Sequence, residues 1–378
     1  MTIASRRELF RSSYPLLATL FAGRCFAAPS ARTRLVLSLE QEFGRSSARA
    51  VSPDGARVCL EDWGKSGYPL LVIEVDGWRE TYTGSFHCRV SGVDFFADGR
   101  ALLLGCPPAP HSSSRRELVV ELAGGARAGP ARSVDFAETV ERLQPVGGRS
   151  VLCERWTRKS RHLTSLSIVD FSSGRELVRA DLEAQRSDSR PPSAVVLSAD
   201  RRLLLYFLNN EVVCRRSGDL RVVWAQRVEP GLSAGPLAAS ATGLSFAAVI
   251  KSGFRDKDNF INLTPLYIAT YSGGTGDEVS RLQLRPKYGI ALSPNGKLLA
   301  VPVDEPGEMG DLFATVDVYD ALSGDMLASL VHDRIPSGRR QFLLSGCTAE
   351  FTSDGKYLIT SGMRTKVWKV GGESSPIG

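Results

Sequence analysis

Histidine is scarce in this chain of 378 residues, which holds only His87, His111, His162 and His332. None of them stands in an HExxH or paired-histidine spacing, and no P-loop occurs. Enzymes whose chemistry is carried by those motifs are therefore excluded. The seven cysteines include no CxxC pair and no Cys/His spacing suited to zinc. Most of them sit in apolar runs such as "RVCLE" and "SVLCE", where a cysteine behaves as a small buried hydrophobe. Free thiols are expected, although an oxidising compartment would permit disulfides whose pairing the spacing leaves open. After the N-terminal region, no apolar run approaches the ~18 residues of a membrane-crossing helix. Charge is also modest. The chain carries +6, of which Arg6, Arg7, Arg11 and Arg24 against Glu8 place +3 in the first 28 residues. The rest lacks the massed basic residues of a nucleic-acid surface.

The N-terminus has the form of an address. In "SRRELFRSS" two arginines follow Ser5, and the short apolar "YPLLATLFAG" leads to the small-residue "FAAPSA". This resembles a twin-arginine export signal, with Phe and Leu exchanged and Arg in place of Lys. The resemblance implies export to the periplasm or beyond, with residues 1–30 as signal peptide and no stable membrane insertion after cleavage. The alternative is an uncleaved amphipathic arm on a cytoplasmic protein. Arg24 before Cys25 argues against a lipid-anchored cysteine.

An internal repeat organises the remainder. "AVSPDGARVCL", "VDFFADGRALLL", "VVLSADRRLLLY", "IALSPNGKLLAV" and "EFTSDGKYLIT" each join an alternating strand to a more continuous apolar one through a polar turn. "LQPVGGRSVLC" and "AASATGLSFAAV" are degenerate copies, for seven in all. Asp-Gly or Asn-Gly at 54–55, 98–99, 295–296 and 354–355 is expected to supply the positive φ of a tight hairpin. Ser-Gly at 173–174, 217–218 and 323–324 then turns a third strand into a fourth.

From Thr33 to Val370 the chain has 338 residues, about 48 per repeat, which suits a propeller blade. Second strands such as "RLLLYFL" are apolar on both faces, as strands between stacked sheets must be. The expected fold is all-β, a single seven-bladed propeller of four-stranded antiparallel blades over 33–370. The last repeat supplies three strands before the tail 371–378, which is expected to fray. "TRLVLSLEQEFG" at 33–44 is expected to complete it and close the ring, with Leu35, Leu37 and Leu39 on one side and Val36 on the other.

On "SPDG", "SPNGKLLA" and "TSDGKYLITSGMRTKVWKV", the chain resembles WD40-like, or YVTN-like, repeat propellers. Trp368 stands where that family has Trp-Asp, with Lys369 replacing the Asp, and the family's Gly-His pair is missing. The resemblance implies a scaffold for binding and no reaction.

In an up-and-down meander the short turns crowd one face, and the second-to-third and inter-blade connections occupy the other. Long, varied loops on a rigid frame are where binding is expected. The candidate partner-binding face therefore comprises Trp63, Tyr68, Arg155, Trp156, Arg158, Phe254, Arg255, Asp304, Glu305 and Glu308. Exposed Trp and Arg suit a protein hot spot; the alternative for Trp63 and Trp156 is to cap their own blade cores. The acidic rim at Asp304, Glu305, Glu308 and Asp311 and the loop "RDKDNF" raise calcium, but the Gly and Glu of a calcium loop are missing. No cofactor is expected.

The reading is a non-enzymatic scaffold of the bacterial envelope that binds a protein or peptide. The alternative is an envelope enzyme or cofactor-binding propeller, lactonase-like or quinone-dehydrogenase-like, working in the central funnel. Oligomeric state is not encoded in any of these features.

Overall fold

Strands that are apolar on both faces can only be satisfied between two other layers, and the chain arranges its strands accordingly. The computed structural model describes residues 37–44, 46–62, 69–84, 92–96, 98–99, 101–106, 115–122, 132–136, 140–156, 163–182, 195–198, 200–208, 210–240, 243–255, 261–284, 286, 289–306, 312–335, 347–362 and 364–370. These belong to the unit Leu35–Gly372. The expected signal segment and tail lie outside the described residues.

The first strand is β1 (Leu37–Phe43). Blade I follows as β2 (Ser46–Val51), β3 (Arg57–Asp62), β4 (Leu70–Glu74) and β5 (Arg79–Gly84). Blade II is β6 (Gly92–Phe95), β7 (Ala101–Cys106), β8 (Arg115–Glu121) and β9 (Arg132–Phe136). Blade III is β10 (Val140–Gly147), β11 (Ser150–Trp156), β12 (Leu163–Asp170) and β13 (Glu176–Asp181). Blade IV is β14 (Val196–Leu197), β15 (Leu203–Leu208), β16 (Glu211–Arg216) and β17 (Val222–Arg227). Blade V is β18 (Leu232–Ala239), β19 (Ser245–Arg255), β20 (Ile261–Ser272) and β21 (Glu278–Leu282). Blade VI is β22 (Ala291–Leu292), β23 (Leu298–Pro306), β24 (Leu312–Asp320) and β25 (Met326–Ile335). The last strands are β26 (Thr348–Phe351), β27 (Tyr357–Ser361) and β28 (Thr365–Val370). All described pairings are antiparallel, and the only helical element among the described residues is a 3-10 turn at Asp76–Trp78.

The expected count of seven blades requires a correction. Six blades are built from consecutive strands, and no seventh repeat makes a blade by itself. The remaining four-stranded sheet is a composite in the order β1-β28-β27-β26, joining the two ends of the chain, because the last repeat runs out after three strands. Its seam pairs Leu37 with Val370, Leu39 with Trp368 and Phe43 with Thr365. A bulge between Leu39 and Gln41 breaks the expected facing of the seam strand. Leu37 packs against the neighbouring core, whereas Leu39, the last residue before the bulge, is 49% exposed. Leu35 and Val36 lie outside the described residues.

Burial falls from the middle of each sheet outward. The central strands β3 and β15 are buried along four consecutive residues, while the outer strands β5 and β13 alternate exposed and half-buried positions. A separate hydrophobic cluster fills each space between neighbouring sheets. Val51, Val58 and Leu60 of blade I meet Ile359 and Val367 of the composite sheet. Leu205 and Phe207 of blade IV meet Phe246 and Ala248 of blade V. Each fully buried side chain of this size contributes ~1.5–3 kcal/mol, so the ring is held by its interfaces.

The first-to-second turns work by a different division of labour from the one expected. Only the glycine is left-handed, for example Gly55 at φ 71° and Gly355 at φ 71°. The acidic or amide residue is instead an acceptor. Asp54 Oδ1 accepts from Ser52 Oγ at 2.5 Å and from the Ala56 amide at 3.0 Å. Asp354 does the same for Thr352 Oγ1 at 2.7 Å and the Lys356 amide at 3.0 Å. These bonds close the loop locally, as Ser and Asp in turns commonly do. They also bring neighbouring turns into contact, since a Cβ on Gly99 would stand 3.1 Å from Asp54.

Candidate functional site

The first strand of every repeat lies innermost, so seven strands from seven different stretches of chain line a central cavity of about 380 Å³. Its walls are β2, β6, β10, β14, β18, β22 and β26, and its lining includes the turn residues Ser52, Arg201 and Ser353. The cavity therefore lies toward the tight-turn face, opposite the long connections favoured from sequence.

Arg201 organises this end. Its amide donates to the Ser198 carbonyl at 2.7 Å, the same bond that Gly55 makes to Ser52 at 2.8 Å, so arginine occupies the position of the turn glycine. It accordingly has φ 57°, in the left-handed region that costs an L-residue ~1–2 kcal/mol. Its guanidinium crosses from blade IV to donate to the Pro145 carbonyl of blade III, and pairs with Asp94 Oδ1 of blade II at 2.8 Å. The residue is 8% exposed. One side chain thus ties three blades together at the channel.

Asp94 has a counterpart. The turn bonds Gly99 N to Phe96 O and Gly355 N to Thr352 O place Asp94 and Glu350 at equivalent rungs, two residues before the turn on β6 and β26. At this rung blades I, IV, V and VI hold the apolar Ala50, Val196, Ala238 and Ala291, and blade III holds Gln144. Glu350 is open to the water of the channel yet crowded by the protein around it. This desolvation, with the repulsion of Asp94 added and the attraction of Arg201 opposing, pushes its carboxyl up to about 7.

Two further pairs support the wall. Gln144 Nε2 donates to Glu154 Oε1 at 2.7 Å and to the Val195 carbonyl at 3.0 Å, linking blades III and IV. Arg142 approaches the same carboxylate at 4.0 Å, and Arg49 lies 3.5 Å from Glu61. Among the described residues, no group of three or more His, Cys, Asp or Glu is placed to hold a metal ion.

The residues singled out from sequence are distributed differently. Trp63, Tyr68, Arg158 and Glu308 lie outside the described residues. Trp156 ends β11, Phe254 and Arg255 end β19, and Asp304 and Glu305 lie near the end of β23, opposite Ala314 and Phe313. Arg155 is the one whose side chain is described. It donates to Ser167 Oγ at 2.7 Å and to Glu176 at 3.0 Å, so its guanidinium, 16% exposed, is held within its own blade. His332 lies within β25 and is 3% exposed, with Nε2 3.1 Å from the Thr360 carbonyl across the interface with the composite sheet. The Trp368 indole donates to Thr360 Oγ1 at 2.9 Å.

Cys59, Cys153, Cys214 and Cys347 are buried thiols. Burial pushes the thiols of Cys59 and Cys214 up to about 12. Iodoacetamide at pH 8 is expected to leave both unmodified in the native protein and to label both in denaturant, as read by peptide mass mapping. Labelling of either under native conditions would contradict this placement.

Sequence reasoning missed the channel site, although signals for it were present. Asp94 interrupts "VDFF", Glu350 interrupts "AEF", and Arg201 replaces the turn glycine in "SADRR". Arg201 stands at a turn position that other repeats fill with glycine, and Asp94 and Glu350 put acids at a rung where four repeats hold Ala or Val.

No family model matches the chain, and no curated protein matches it. Among solved structures it is similar to the Cps50 (Swd1) β-propeller domain of Myceliophteria thermophila, at 13% identity with a TM-score of 0.52. The match covers 89% of this chain and 99% of that one. An identity this low speaks to fold alone: the chain has a β-propeller fold.

Proposed function

We propose that the chain is a non-enzymatic scaffold of the bacterial envelope that binds a protein or peptide on the face of its second-to-third connections. The observation that carries this reading is the projection of two neighbouring blades. β19 and β20 run for 11 and 12 residues, and β23 and β24 for 9 each, against 5 or 6 for the equivalent strands of blade I. The β19–β20 ladder continues to Arg255 opposite Ile261, beyond the last β18 pairing at Ser252. The β23–β24 ladder continues to Pro306 opposite Leu312, far beyond the two rungs of β22. At ~3.3 Å per residue, these ladders stand ~10–20 Å above the inner strands. Paired ladders of this length have no role in closing the ring, and they raise Phe254, Arg255, Asp304 and Glu305 toward a partner. Export rests on the N-terminal "SRRELF" pattern.

Replacing residues 253–263 by Asn-Gly leaves the rest of blade V paired. The expected result is an unchanged melting temperature within a few degrees, and loss of a discrete cross-linked species formed by the intact protein in its native envelope fraction. If the shortened protein gives the same cross-links, the hairpin does not carry binding. Fusing residues 1–30 to a folded reporter tests export separately, with Arg6→Lys and Arg7→Lys together expected to hold the reporter in the cytoplasm.

The channel favours a second reading, in which the funnel takes a small ligand, as a lactonase-like or quinone-dehydrogenase-like propeller would.

A further inference from the structure

We propose that the tight-turn end of the central channel is a binding site for a primary ammonium group, with Glu350 as its counter-charge and Asp94 as a second carboxylate contact. The site is separate from the projecting hairpins and does not depend on them.

Three arginines at the channel already have acidic partners. Arg201 is paired with Asp94, Arg49 with Glu61, and Arg142 with Glu154. Glu350 makes no hydrogen bond or ion pair among the described residues, and it lines the cavity. When ionised, it is the carboxylate without a matching cation. The charged groups that act on it are Asp94 from β6, which opposes its ionisation, and Arg201 from the turn after β14, which favours it. Arg49 on β2 and Arg142 on β10 line the same cavity and are held by their own acids.

The chemistry of the missing cation follows. Arg201 engages Asp94 through Oδ1, which leaves Oδ2 as an acceptor, and Asp94 and Glu350 line the same cavity. A compact ammonium has three donors that can turn toward carboxylates in different planes, whereas a guanidinium requires a coplanar fork. A cavity of about 380 Å³ admits a short aliphatic chain behind that ammonium. Such a group is offered equally by a free alkylamine and by the lysine side chain of a peptide.

Binding a cation here favours the ionised form of Glu350, whose carboxyl titrates at about 7. The competent fraction therefore rises with pH across the neutral range, while an alkylammonium stays charged throughout. Titrations of the full chain with n-butylamine and with acetyl-Gly-Lys-Gly-amide, followed by NMR, are expected to show binding about tenfold tighter at pH 8 than at pH 6. Tighter binding of n-butylamine assigns the site to free amines; tighter binding of the peptide assigns it to a lysine. Glu350→Gln is expected to weaken both at least tenfold at pH 8 and to remove the pH dependence. Glu350→Asp retains the pH dependence with weaker binding, and covers the case in which the Gln variant does not fold. Failure of both probes to bind, binding that does not change with pH, binding unaltered in Glu350→Gln, or preferential binding of acetate would each overturn the proposal. The protein lacking residues 253–263 is expected to bind both amines normally, so the hairpin reading and this one fail independently.

Discussion

Replacing Arg201 by methionine is expected to lower the free energy of unfolding by about 2–4 kcal/mol, measured by urea denaturation at pH 7.5. The side chain is 8% exposed and contacts Pro145 and Asp94 on two other blades. Methionine retains much of the apolar stem but removes all charge, leaving Asp94 beside Glu350 with no cation between them. Breaking a buried ion pair from one side typically costs ~3–5 kcal/mol. Asp94 retains 27% of its side-chain exposure, and the water available to it lowers the expected loss. Arg201→Gly separates the charge from the backbone. It loses the same pair but relieves the left-handed φ of 57°, so its loss should be smaller by ~1 kcal/mol. Asp94→Asn in the methionine background should cost less than in the native background, because its partner is already gone. A loss below about 0.5 kcal/mol for Arg201→Met would mean that the bridge contributes nothing to holding blades II, III and IV together.

Deleting residues 1–43 is expected to have the larger effect, making the protein prone to aggregation and lowering its melting temperature by more than ~10 °C. The deletion removes β1 and all six of its described pairings with β28, from Leu37–Val370 to Phe43–Thr365. β28 then becomes an exposed edge carrying Val367 and Trp368, and an unpaired edge of this kind templates association between chains. The Arg364 and Glu42 ion pair at the same seam is also lost, a minor contribution at this exposure. Size-exclusion chromatography and calorimetry of the shortened protein test the point. Deleting only residues 1–30 separates loss of the signal from loss of the seam, and should leave the melting temperature unchanged. If removal of β1 also leaves it unchanged and the protein monodisperse, the seam does not hold the ring.

These two outcomes draw on different levels of information. Pairing of the chain ends was legible because strands within a repeat follow a local pattern: alternating residues, a Ser-x-Asp-Gly turn, then a continuous apolar strand. A last repeat one strand short, with a spare strand at the start, states the seam directly. The expected count of seven blades was not met: six blades are built from consecutive strands, and the remaining sheet is a composite of the two chain ends. The seam's side-chain facing was not legible, because the bulge at Leu39–Gln41 moves one residue out of register, and a period of two cannot survive such an insertion. The candidate surface was legible only as a direction. The sequence placed the long connections on one face, but hairpin lengths in blades V and VI depend on ladders continuing to Arg255 and Pro306, which no turn signal marks.

By itself, the sequence determined the all-β repeat, the order of strands within each blade and the places where turns reverse the chain, because these depend on residues close in sequence. Only the tertiary structure decided what the centre of the ring contains. Arg201 meets partners 56 and 107 residues away. Asp94 and Glu350 share a rung only because their turns align around the axis. Closing the ring brings the innermost residue of every repeat to one channel, and the electrostatic character of that channel arises from exceptions that each repeat makes alone.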